Sequence, residues 1–173
     1  MNIGLIGLGN VGIEVARRLK SFGSKILAYD PWTKFYKEFT QIGGKMTDSL
    51  DALAKISNII SIHVVQNDST KNLINNKFFA KTKKGILLIN TSRSGVICQD
   101  SLQDALNKNI VSNYATDVLY PEPPYDIKPE NHHYTHPMLN NPRVLVTPHI
   151  AASTLDAQKR VAINLVNQIK TLL

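Results

Sequence analysis

The chain is short of cysteine, tryptophan and acidic side chains: Cys98 and Trp32 are each alone of their kind among 173 residues. A lone cysteine cannot close an internal disulfide, so nothing in the sequence asks for an oxidising compartment, and a cytoplasmic location is expected. No apolar run approaches the ~18 residues of a membrane span. Residues 1–12 lack the basic segment and long apolar stretch of a signal peptide, so no membrane association is expected. Acidic residues number 13 against 20 Lys and Arg, a net charge of +7. The basic residues are scattered from Arg17 to Lys170 with no stripe to follow a phosphate backbone, so nucleic acid is not an expected partner. His132, His133 and His136 cluster without a cysteine or a carboxylate at fixed spacing, and no metal is assigned to them.

At ~150 residues per domain, and with 43% hydrophobic residues, the chain reads as one domain over residues 1–173. Strand and helix signals alternate along it. Residues 2–6 form a short apolar strand that runs into glycines, a helix follows over 13–22, and a second strand over 25–30 stops at Pro31. Further helices are expected over 48–55, 76–80, 100–107 and 153–172, with Asp100 as a cap in place of Cys98. Strands are expected over 59–65, 85–90, 112–118 and 143–147. This alternation predicts an α/β fold, a doubly wound parallel sheet of Rossmann type covered on both faces. Residues 120–141, which hold Pro121, Pro123, Pro124, Pro129 and Pro137, read as one long loop.

Gly7-Leu8-Gly9-Asn10-Val11-Gly12 is a G-x-G-x-x-G set between the first strand and the first helix. In that setting Gly7 permits the tight turn, Gly9 lets backbone approach a pyrophosphate, and Gly12 brings helix and strand close. The helix N-terminus offers free N–H groups to the phosphates. Asp30 lies 18 residues after Gly12, at the end of the second strand, where a carboxylate accepts from both hydroxyls of an adenine ribose and repels a 2′-phosphate. NAD is the expected cofactor, although Thr33 and Lys34 close behind Asp30 could accommodate a phosphate.

Ligands of open α/β sheets bind at the carboxyl ends of the strands. Arg93 in Asn90-Thr91-Ser92-Arg93-Ser94-Gly95, Asp117 at the end of the next strand, Glu122 shortly after it, and His149 in Thr147-Pro148-His149 all fall at that edge. Taken singly each has an ordinary structural reading: a solvated turn arginine, a loop charge, a strand-end histidine. Together they provide a planar cation for a carboxylate and a histidine able to give and take a proton beside a carboxylate.

GLGNVG at 7–12, YDP at 29–31, IHV at 62–64, NTSRSG at 90–95, DVLYPE at 117–122 and TPHIAAST at 147–154 together resemble the NAD-dependent D-2-hydroxyacid dehydrogenases, in their cofactor-binding domain. The resemblance spans nearly the whole chain. It implies an oxidoreductase that moves hydride between NAD and a small 2-keto or 2-hydroxy acid, with Arg93, Glu122 and His149 as catalytic residues. Arg93 would orient the substrate, His149 would move the proton, and Glu122 would hold the imidazole. It implies cofactor contacts at Gly7, Gly9, Asn10, Val11, Gly12, Asp30, Pro31, His63, Val64, Thr91, Ser92, Arg93, Asp117 and His149, with Asp117 on the nicotinamide carboxamide. It also implies a homodimer. Family members usually continue IHV with a proline and threonines, where this chain has Val65-Gln66-Asn67-Asp68-Ser69-Thr70. They also carry a separate substrate domain that this sequence is expected to lack, so poor activity is expected of the short chain alone, and a second reading stays open: a stand-alone NAD(H)-binding, dimerising sensor or interaction module without turnover.

Overall fold

A computed structural model of the chain describes residues 1–121 and 134–172. Strands are β1 (Asn2–Ile6), β2 (Lys25–Tyr29), β3 (Lys45–Met46), β4 (Ile59–Ile62), β5 (Ile86–Asn90), β6 (Val111–Thr116) and β7 (Val144–Val146). Helices are α1 (Asn10–Lys20), α2 (Tyr36–Gln41), α3 (Leu50–Ile56), α4 (Asn76–Phe79), α5 (Gln99–Asn107) and α6 (Leu155–Leu172). The strands of the described residues form one sheet in the order β3-β2-β1-β4-β5-β6-β7, every pair parallel. Chain order reverses direction between β1 and β4, the topological switch point where a crevice opens.

Alternation along β1 divides the core between two faces. Ile3 and Leu5 pack with Ile13 and Ala16 of α1 and Phe39 of α2, whereas Ile6 joins Leu53 of α3 and the cluster under α4 and α5. Gly4 faces α3 so closely that a Cβ there would lie 2.3 Å from Ser57 Oγ and 2.7 Å from Leu53 Cδ2. The expected doubly wound sheet is therefore present, with its central strands buried between helical layers.

Several local expectations need correction. α1 starts at Asn10 rather than after Gly12, so the last motif glycine sits inside the helix. α2 and β3 went unread, because β3 is two residues long and its neighbourhood holds one deeply buried apolar side chain, Phe39. The strand expected over 59–65 ends at Ile62, where the backbone turns away after the bond from His63 N–H to the Ile6 carbonyl. Asp100 lies in the first turn of α5 and is not its cap; Cys98 takes that position without a side-chain bond. Within the expected long loop, residues 137–140 form a short 3-10 turn capped by His136, whose Nδ1 accepts from Met138 N–H. Over residues 155–171, α6 is exposed at every position but the half-buried Ala157 and does not cover the sheet, since its contacts are chiefly with the turn just before it. Among the described residues no helix is long and apolar enough to cross a membrane.

Candidate active site

The glycine loop is fixed from several sides. Gly7 has φ +91°, and a Cβ there would lie 2.8 Å from the backbone of His63 and Val64. A Cβ on Gly12 would lie 2.4 Å from the Gly7 carbonyl oxygen. Both glycines are thus required by the fold itself. Gly9 differs: a Cβ there would meet nothing within 4 Å, so the chain's own packing gives no reason for its bareness. Gly9 is the N-cap of α1, with no side-chain cap and no acidic residue in the first turn, which leaves the Asn10 and Val11 end of the helix suited to an anion. Val11 is 60% exposed on this rim.

Asp30 ties the loop to the second strand. Its Oδ2 accepts from Leu8 N–H at 2.8 Å and its Oδ1 from Trp32 N–H at 2.9 Å. The Leu8 carbonyl in turn accepts from Thr33 Oγ1 at 2.7 Å, so the Leu8 peptide is held at both ends. Each carboxylate oxygen keeps a further lone pair for a ligand hydroxyl. Thr33 is committed to Leu8, and Lys34 Nζ lies over the Phe35 ring, 5.2 Å from its centroid, so both side chains thought able to receive a phosphate have protein partners. Gly7, Gly9, Asp30, Pro31, Trp32 and Val64 line a largely apolar cleft of about 370 Å³ at the switch point.

His63 lines this cleft and the next one, of about 510 Å³, which it shares with Val11, Val64, Thr91, Ser92 and Arg93. Its Nε2 lies 2.9 Å from Ser61 Oγ, while Nδ1 is buried without a hydrogen-bond partner. Burial pushes its pKa down to about 4, so the ring is neutral at physiological pH.

The Arg93 turn hangs on Asn90, which is fully buried at the end of β5. Asn90 Nδ2 donates to the Arg93 carbonyl at 3.0 Å, and Oδ1 accepts from Ser92 N–H and Ser92 Oγ, each at 3.0 Å. Arg93 itself is exposed, with Nη1 donating to the Ser92 carbonyl at 2.7 Å. The sequence reading gave Asn90 no role. The available signal was an asparagine ending an apolar strand and leading into a Thr-Ser turn, a common site for side-chain bonds to nearby backbone.

Asp117 and His149 are joined across β6 and β7. Asp117 Oδ1 accepts from His149 N–H at 3.0 Å and from Thr147 Oγ1. His149 takes φ +54°, a left-handed conformation uncommon outside glycine, so this carboxylate secures a costly turn. One Asp117 oxygen is thus already engaged by the protein. Arg93, Asp117 and His149 all lie just past the carboxyl ends of β5, β6 and β7. Glu122, with His132 and His133, lies outside the described residues. Among the described residues no group of three metal-binding side chains occurs.

Comparison with known proteins agrees with this geometry. Residues 1–151 match the family model described as D-isomer specific 2-hydroxyacid dehydrogenase, NAD binding domain. The chain is 41% identical over 167 residues to hydroxypyruvate reductase of Thermotoga maritima, covering 96% of this chain and 51% of that protein. It is 39% identical over 166 residues to D-3-phosphoglycerate dehydrogenase of Archaeoglobus fulgidus, covering 96% of this chain and 30% of that one. It thus spans about half the length of one of these relatives and less of the other. Among solved structures, a D-lactate dehydrogenase from Treponema pallidum superposes with a TM-score of 0.84 at 29% identity, over 99% of this chain and 52% of that one. The NAD-complexed D-isomer specific 2-hydroxyacid dehydrogenase of Lactobacillus delbrueckii superposes with a TM-score of 0.82 at 28% identity, over 99% and 53%. The open Cβ position at Gly9, the bare N-terminus of α1 and the spare lone pairs of Asp30 leave space and hydrogen-bonding capacity at this end of the sheet. The chain belongs to the NAD-binding domain family of the D-isomer specific 2-hydroxyacid dehydrogenases.

Proposed function

We propose that this chain provides the cofactor-side machinery for reversible hydride transfer between NAD(H) and a small 2-keto or 2-hydroxy acid. The observation that carries the reading is the pair of braced turns on one sheet edge: Arg93 held by buried Asn90, and His149 held by Asp117. Bound cofactor supplies or accepts the hydride. Arg93 grips the substrate carboxylate with its planar fork and stabilises negative charge on the reacting oxygen. His149 gives that oxygen a proton in reduction and takes it back in oxidation, with Glu122 fixing the imidazole. Gly7, Gly9, Asn10, Val11 and Gly12 cradle the pyrophosphate, and Asp30 and Pro31 receive the adenine ribose. His63, Val64, Thr91 and Ser92 line the path toward the nicotinamide, where the second oxygen of Asp117 receives the carboxamide.

The names of the relatives, hydroxypyruvate reductase among them, support a small 2-keto acid as substrate. A homodimer is supported by the apolar side chains left bare on β7 and α6, where Leu145, Val161 and Leu165 are all more than half exposed. The absence of a disulfide requirement supports a cytoplasmic setting. The test is NADH oxidation by the purified chain with glyoxylate, hydroxypyruvate and pyruvate. Oxidation should scale with protein and vanish in His149→Ala, which should still bind NADH. A folded, NADH-binding chain that oxidises none of these would be the cofactor half of such an enzyme or the sensor or interaction module, and a change of assembly state on adding NADH would favour the module.

A further inference from the structure

The Arg93 turn is held from a second direction. Gln66 Oε1 accepts from Gly95 N–H at 3.1 Å, across the gap between the loops after β4 and β5. The Gly95 carbonyl accepts from Asn72 N–H at 2.9 Å, with Asn72 at φ +52°. Gly95 is therefore pinned through both ends of its peptide linkages to the β4 loop. A Cβ at Gly95 would meet Gln66 first, 2.6 Å from Oε1 and 2.8 Å from Cδ and Nε2. The glycine is thus bare because the Gln66 amide lies against it. Gln66 also walls two clefts: the one of about 510 Å³ that holds Arg93 and His63, and a neighbouring one of about 660 Å³ with Lys71, Gln99 and Tyr120.

We infer that Gln66 is a positioning residue for Arg93. Asn90 anchors the near side of the turn at Ser92 and Arg93, and Gln66 anchors the far side at Gly95, so the guanidinium is presented from a backbone fixed at both flanks. Because Val64 and Val65 precede Gln66 and line the cofactor clefts, the same short segment that meets the dinucleotide sets the arginine. This inference rests on the proposed role of Arg93 in substrate binding, but its first readout does not.

The test uses the whole chain, with Gln66→Met, which keeps length and removes the acceptor, and Gly95→Ala, which pushes the Gln66 amide away. Amide exchange at position 95 is followed by NMR, and affinity for oxamate, an unreactive 2-keto acid mimic, is measured on the NADH-saturated chain. Each single substitution should speed exchange at position 95 about fivefold, as expected for one lost hydrogen bond, and weaken oxamate by a similar factor. NADH affinity should stay within about twofold, since no new contact to the dinucleotide is claimed. The double variant should be no worse than either single one, because both remove the same contact. Unchanged exchange in Gln66→Met, additive losses in the double variant, or faster exchange with unaltered oxamate affinity would each overturn the assignment. Arg93→Met separates the two claims. If it leaves oxamate affinity intact, the substrate role of Arg93 fails, while the exchange result still decides whether Gln66 holds the turn.

Discussion

Asp117 Oδ1 accepts the backbone N–H of His149 at 3.0 Å, joining the ends of two neighbouring strands and holding the histidine at φ +54°. The same oxygen takes Thr147 Oγ1. This carboxylate therefore helps to fix where the proposed acid-base group stands. Asp117→Ala should cost about 2 kcal/mol through loss of two hydrogen bonds to a charged acceptor, a drop in Tm of about 4–8 °C. Turnover should fall much further than NADH affinity. Thermal unfolding and NADH titration of the one variant check both halves, and an unchanged Tm would show that the His149 turn is held by other contacts.

The motif glycines should separate into two classes. Gly12→Ala forces a Cβ to within 2.4 Å of the Gly7 carbonyl oxygen and should destabilise the fold by about 1–3 kcal/mol. Gly9→Ala meets nothing in the chain, so it should cost only the difference between glycine and alanine at a helix N-cap, about 1 kcal/mol or a fall in Tm of about 2–4 °C. Its NADH affinity should fall at least about tenfold, because the added methyl group occupies the cradle. Denaturation and NADH titration of the two variants distinguish packing from binding. A Gly9→Ala variant with full NADH affinity would remove this glycine from the phosphate site.

Asn90 should prove essential to the Arg93 turn although it never reaches the cleft wall. Asn90→Leu leaves the Ser92 N–H and the Arg93 carbonyl without their partner and should cost about 2–4 kcal/mol. Chemical denaturation measures the loss. A cost below about 0.5 kcal/mol would mean that the turn supports itself.

His63 predicts a particular acid sensitivity. Its folded pKa of about 4 lies below the unfolded value of 6.5, so the native state binds fewer protons than the unfolded state between them. The contribution of this group is therefore fully present above pH 6.5 and is lost as pH falls toward about 4, at most about 3 kcal/mol in all. His63→Leu should flatten the stability profile in that window, measured by urea unfolding at a series of pH values. An unchanged slope would place the acid sensitivity in other groups.

Asp30→Ala should weaken NADH binding and reduce discrimination against NADPH, since the carboxylate that repels a 2′-phosphate is gone. It should also loosen the loop, because Leu8 and Trp32 lose the acceptor for their N–H groups. Parallel titration with the two cofactors is the check. Unaltered selectivity would take Asp30 off the ribose.

The parallel sheet was legible in the sequence because it rests on apolar runs punctuated by glycine and proline, whereas the strand order that sets the switch point came only with the folded chain. IGLIG, KILAYDP and GILLIN each combine a buried strand with its own stop signal. β3 was not legible, since Lys45 and Met46 owe their strand conformation to pairing with Leu27 and Ala28 rather than to any local pattern. The periodicity of α6 gave the helix but not its surroundings: an amphipathic stripe shows that a face can be buried, not that this chain buries it. Within the site, residues with charge or special geometry announced themselves, as Arg93, His149 and the glycines did. Asn90 and Gln66 act through backbone groups distant along the sequence or just across a turn, and only the folded chain shows which groups those are.

The measurement that bears most directly on hydride transfer uses NADH carrying deuterium at both positions of its reactive nicotinamide carbon, with hydroxypyruvate as acceptor and chiral analysis of the glycerate formed. The account predicts protein-dependent D-glycerate carrying deuterium on the former keto carbon, absent with His149→Ala. L-glycerate or unlabelled product from the folded, NADH-binding chain would contradict it.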